Sequence, residues 1–92
     1  MRFILDGGSV GSREILHRTL AAGLRFPDWY GGNLDALHDC LTDMTEPVEL
    51  VIRDSSALDA ALGGYAAAFR QVLADCATEN DLFSVVWEED AP

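Results

Sequence analysis

Asp35, Asp39 and Asp43 recur at four-residue intervals, with His38 between the first two. In a helix, residues four apart stand on one face. Asp35–Asp39 and Asp39–Asp43 would therefore be like-charge pairs, and Asp35, Asp39 and Thr42 would form one stripe of the helix. No lysine or arginine within the helix offsets these charges. The segment from Phe26 to Ile52 also carries Asp28, Glu46 and Glu49, holds no arginine, and has His38 as its one possible cation. Each like-charge i, i+4 pair costs roughly 0.2–0.5 kcal/mol. Anions near a helix C-terminus cost roughly 0.3–1 kcal/mol more through the macrodipole. A helix selected only for stability would not be written this way, and such local conflict points to function. Two chemistries fit the residue types. Two aspartates and a histidine could share a proton or hold a metal, but no nucleophile or oxyanion hole accompanies them. An unpaired carboxylate face could instead attract a basic protein. The loop ahead of the helix, Trp29-Tyr30-Gly31-Gly32, places two large aromatics beside the acids. Aromatics beside charges that contact can desolvate are the makings of a protein-binding hot spot.

The acidic helix is framed by clear signals. Asn33 has the chemistry of an N-cap, and the helix it opens runs through about Thr42. Leu34, Leu37 and Leu41 fall at i, i+3 and i+7 and define its core face. Upstream, Arg2–Leu5 is a strand closed by the turn Asp6-Gly7-Gly8-Ser9. Ser12 caps a helix reaching about Ala22, with Ile15, Leu16, Thr19 and Leu20 inward and Gly23 at its end. Downstream, Val48–Arg53 is a mostly apolar strand, as a buried parallel strand should be. Ser55 or Ser56 caps a short helix to Leu62, which Gly63-Gly64 breaks. Tyr65, Phe69, Val72, Leu73 and Cys76 mark a further helix to about Ala77, and Leu82–Trp87 is the last strand. The order β-α-α-β-α-α-β puts helix in each crossover. That predicts a three-stranded parallel sheet packed with about four helices, an α/β fold. Residues 1–88 are expected to form one domain, with 89–92 an acidic tail.

The chain has 92 residues and 16 acids against six arginines, with no lysine, for a formal charge of −10. A nucleic acid or an anionic membrane would repel it, whereas a basic protein would attract it. Size-scaling gives roughly 14,500 Å² of surface unfolded and about 5,200 Å² folded, enough burial for one core without staples. Cys40 and Cys76 form no CxxC and read as small buried hydrophobes. With no export signal evident, the expected compartment is the reducing cytoplasm. No cofactor or metal is expected.

The stretch Phe26-Pro27-Asp28-Trp29-Tyr30-Gly31-Gly32-Asn33-Leu34-Asp35-Ala36-Leu37-His38-Asp39-Cys40-Leu41-Thr42 resembles the signature of the barstar family, intracellular inhibitors of secreted microbial ribonucleases. The remaining elements fit in order and spacing, so the resemblance spans residues 1–88. It implies a non-enzymatic, antitoxin-like inhibitor, monomeric when free, that plugs a basic ribonuclease or related nuclease toxin with the second helix and its loop. Carried over residue by residue, it implies partner contacts at Trp29, Tyr30, Gly31, Asn33, Asp35, His38, Asp39 and Thr42. It places Asp39 deepest and Thr42 at the rim, and adds Asp75 with Glu79 late in the fourth helix. This sequence departs from the pattern where family tryptophans stand at the positions of His38 and Met44, and Gly32 replaces a loop acid. The departures keep a second reading open: a binding module of the same fold whose partner is another toxin or a non-nuclease protein. Flanked by Asp35 and Asp39, His38 is expected to titrate above its ordinary range.

Overall fold

A computed structural model describes residues 1–89. The acidic tail expected over 89–92 therefore lies, apart from Glu89, outside the described residues. The elements are β1 (Arg2–Asp6), a 3-10 turn (Gly7–Ser9), α1 (Arg13–Leu24), α2 (Leu34–Thr42), β2 (Val48–Arg53), α3 (Ser55–Leu62), α4 (Gly64–Glu79) and β3 (Phe83–Trp87). The strands form one parallel sheet in the order β1-β2-β3. Phe3 is level with Leu50, and Leu50 with Val85. The accessible surface is 5176 Å², close to the folded area expected from chain mass.

The register explains why β2 reads as a continuous apolar run. It is the central strand, and Val48, Leu50, Val51 and Ile52 are all buried. Leu5, Leu50, Ile52 and Phe83 point into a core completed by Leu16 and Leu20 of α1, Leu37 and Leu41 of α2, Leu58 of α3, and Phe69 and Leu73 of α4. On the opposite sheet face, Ile4, Val51 and Val86 form one row across the strands. Its flanking members, Ile4 and Val86, are about two-fifths exposed, whereas Val51 is buried. Arg2–Glu49 at 3.2 Å and Arg53–Glu88 at 3.3 Å border this row. Arginine stems can cover apolar surface while their heads stay in water.

Three local expectations are corrected. Helix α1 does not stop at Ala22: it passes through Gly23 to Leu24, and Arg25 (φ 57°) supplies the left-handed cap. Gly23 serves packing instead, because a Cβ there would lie 2.2 Å from Cζ of Phe3. The inward face of α1 is Leu16, His17, Leu20 and Leu24, while Ile15 is 39% exposed. The N-cap of α3 is Asp54, in the left-handed region, and Ser55 is the first helical residue. The break after α3 is as read, with Gly63 at φ 58°, a conformation that glycine adopts without steric cost.

Candidate partner-binding face

Local chemistry fixes where α2 begins. The Asn33 side-chain oxygen accepts from the Ala36 N–H at 2.8 Å, satisfying one of the donors that every helix start leaves open. Gly32 (φ 67°) turns the chain into this cap. Leu37, Cys40 and Leu41 are buried, and Leu34 is half-buried against the core. That register turns Asp35, Asp39 and Asp43 outward, and all three are exposed. The expected core face of α2 therefore holds, with Cys40 added to it. Thr42 is half-buried, and its hydroxyl donates back to the His38 carbonyl at 2.8 Å.

The two loop aromatics have different environments. Trp29 is 63% exposed. Tyr30 is half-buried; its ring lies 4.7 Å from that of Phe26, and its hydroxyl meets Nδ1 of His17. The other ring nitrogen of His17 lies 2.6 Å from the Tyr65 hydroxyl on α4. A neutral imidazole offers one donor and one acceptor, so one tyrosine donates to the ring and the other accepts from it. His17 thus ties the loop to α1 and α4. Burial pushes the Tyr30 hydroxyl well above its ordinary range and pulls His17 below its own. Sequence reading missed His17. The available signal was its position three and seven residues before Leu20 and Leu24, on the apolar stripe.

The last turn of α4 holds α2 from the other side. Glu79 Oε2 lies 2.8 Å from His38 Nε2, and Asp39 Oδ1 lies 3.7 Å from His38 Nδ1. His38 titrates above its ordinary range, as expected, but the chief cause is the Glu79 hydrogen bond; Asp39 contributes less, and Asp35 takes no part. The Cys76 thiol faces the His38 carbonyl at 3.8 Å. The Asn80 side-chain amide, also missed in the sequence, donates to the carbonyls of Leu41 (3.0 Å), Met44 (3.2 Å) and Thr42 (3.4 Å). Asp75 stands one turn before Glu79 and receives a hydrogen bond from Gln71 of its own helix at 2.9 Å. Among the described residues, no group of three or more His, Cys, Asp or Glu side chains is placed to hold a metal ion. No helix among them is long and apolar enough to cross a membrane.

The two histidines should act on stability in opposite pH windows. The raised His38 contributes fully below about pH 6.5, its unfolded value, and loses that contribution as pH rises through the folded value. The lowered His17 contributes above about pH 6.5 and loses that contribution as pH falls through its folded value. Relative to the wild type, His38→Gln should therefore lose most melting temperature at pH 5–6, measured by thermal unfolding across pH 5–8. A His38→Gln deficit that grows with pH would contradict the ion pair with Glu79.

Known proteins resemble this chain in sequence. The family described as barstar (barnase inhibitor) matches residues 1–88. The Bacillus subtilis (strain 168) protein named "Putative ribonuclease inhibitor YrdF" is 38% identical over 89 residues, covering 95% of this chain and 98% of that protein.

Proposed function

Because the chain belongs to the barstar family, we propose that it is a non-enzymatic inhibitor that docks the exposed face of α2 into the basic active site of a ribonuclease. The supporting observation is the row Asp35, Asp39 and Asp43, exposed on one helix face beside the exposed indole of Trp29. A ribonuclease must hold phosphate, so its site is cationic. A preformed carboxylate row meets those cations without reorganisation and steers encounter through its field. Trp29, Gly31, Asn33, Asp35, Asp39 and Thr42 would make the contacts from the loop and α2, with Asp75 and Glu79 at the α4 edge. Tyr30 would act mainly from beneath, by holding the loop on His17. His38 would enter the interface already paired with Glu79.

The test is titration of the chain into a barnase-type ribonuclease while RNA cleavage is followed. Stoichiometric inhibition is expected, lost in the Asp35→Ala/Asp39→Ala variant. Inhibition that survives intact in the double variant would sink the carboxylate-plug mechanism. The replacement of family tryptophans by His38 and Met44 favours a second reading, in which the same face serves a different toxin or a non-nuclease protein. Absence of inhibition by the wild type, with only non-nucleases recovered on capture from the source cells, would select that reading.

A further inference from the structure

A pocket of about 250 Å³ opens beside Trp29, lined by Leu24, Phe26, Trp29, Cys40, Asp43 and Met44. Its walls are mostly apolar. Two charged side chains reach it: Asp43, the C-cap of α2, and Arg25, the left-handed cap of α1. Neither forms an ion pair with any described residue. Burial, with the nearby Asp43 and Asp39 charges, pushes the Cys40 thiol up, so the thiol brings no charge at neutral pH. The pocket continues the acidic row, since Asp43 stands one helical turn beyond Asp39.

We propose that this pocket is a second anchor point of the binding face and that it takes one arginine side chain of the protein partner. The inference rests on the reading that α2 docks on a basic protein. Arginine suits the site in three ways. Its aliphatic stem can lie along Leu24 and Met44. Its planar guanidinium can stack on the exposed indole of Trp29. Its N–H groups can meet the Asp43 carboxylate and the negative end of α2. A lysine has the charge but neither the plane nor the fork. Arg25 competes from the pocket wall, so the incoming cation would bind better without it.

The experiment uses the full chain and no ribonuclease. N-acetyl-arginine-N-methylamide is titrated while amide and indole resonances are followed, beside its neutral citrulline and its phenylalanine counterparts. The arginine probe should shift the Trp29 indole N–H and the Asp43 and Met44 amides together. The citrulline probe should bind about tenfold more weakly, as removal of a charge-assisted bond implies. Asp43→Asn should weaken the arginine probe by a similar factor, Asp39→Asn by less, and Arg25→Gln should strengthen it several-fold. Equal response to citrulline, preference for the phenylalanine probe, or no shift at tens of millimolar would each overturn the proposal. Inhibition of a ribonuclease by the wild type and its loss in Asp35→Ala/Asp39→Ala test the docking reading separately.

Discussion

Asp39→Ala should weaken the complex with a cognate ribonuclease by at least about 30-fold while raising the melting temperature of the free chain. Both effects come from one carboxylate. In the complex it would lie against cations of the enzyme, away from water. Removing one member of such a pair costs about 2–5 kcal/mol, because the other charge stays buried without a partner. By the logarithmic relation of affinity to free energy, the lower limit is a factor of about 30. In the free chain the balance is reversed. Asp39 is repelled by Asp35 and Asp43 at i±4, costing roughly 0.2–0.5 kcal/mol each. It also stands in the last turn of α2, where no basic residue is present and the helix macrodipole disfavours an anion. His38 returns part of this cost, but only from 3.7 Å and across an exposed pair, where such contacts contribute little. Alanine is besides the better helix former. Isothermal titration with the enzyme and thermal unfolding of the free chain read the two effects. High salt should shrink the wild-type advantage in association rate, because exposed charges are screened over about 10 Å at 0.1 M. A lower melting temperature for Asp39→Ala would show that the acid stabilises its own fold, and the functional argument drawn from its cost would fail.

What could be read from the sequence was what neighbouring residues decide. Asn33 and the leucines behind it set where α2 starts and which side it buries, so the exposure of Asp35 and Asp39 followed from spacing alone, whereas Thr42 on the same stripe is half-buried. The alternation of strand and helix likewise required parallel crossovers. What escaped were contacts between distant positions. Strand order could not be chosen because helices fill each crossover; burial of Val51 on the otherwise open sheet face is what marks β2 as central. Gly23 looked like a helix end because glycine there usually is one, yet the Phe3 ring takes its side-chain space. His17 joins Tyr30 and Tyr65, 13 and 48 positions away. His38 finds Glu79 across 41 positions, while its sequence neighbours Asp35 and Asp39 are secondary or absent as causes of its shift. Side chains that only tertiary packing brings together leave no local period, and a polar residue on an apolar stripe, such as His17, is the nearest thing to a signal.

Asn80→Asp should be the most damaging of the near-isosteric changes around α2, and more damaging than Asn80→Ala. The Asn80 amide closes the C-terminal end of α2 by donating to the Leu41, Thr42 and Met44 carbonyls, and its side-chain oxygen accepts from the Leu82 N–H at 3.0 Å. Aspartate has the same shape and keeps the acceptor for Leu82. It cannot donate, and at neutral pH it sets a charge against three carbonyl oxygens at the negative pole of α2. Lost donation to partly buried carbonyls costs roughly 1–3 kcal/mol, and an anion at a helix C-terminus adds roughly 0.3–1 kcal/mol. Each kcal/mol corresponds to about 4–8 °C in a domain of this size, so a fall of roughly 10–20 °C is expected. Alanine forfeits the same bonds but brings no charge, and water can reach part of the freed carbonyls. The order wild type, alanine, aspartate in melting temperature is therefore the diagnostic, rather than the size of either drop. Hydrogen exchange locates the effect: the Asp43 N–H, bonded to the Asp39 carbonyl at 3.1 Å in the last turn, should lose protection before amides of β2. Because that turn carries Asp39 and Asp43, fraying it would scatter the carboxylate row. Both variants should then bind a ribonuclease more weakly, even though Asn80→Asp makes the chain more acidic. Tighter binding by Asn80→Asp would mean that total charge, not the fixed placement of the α2 carboxylates, governs recognition.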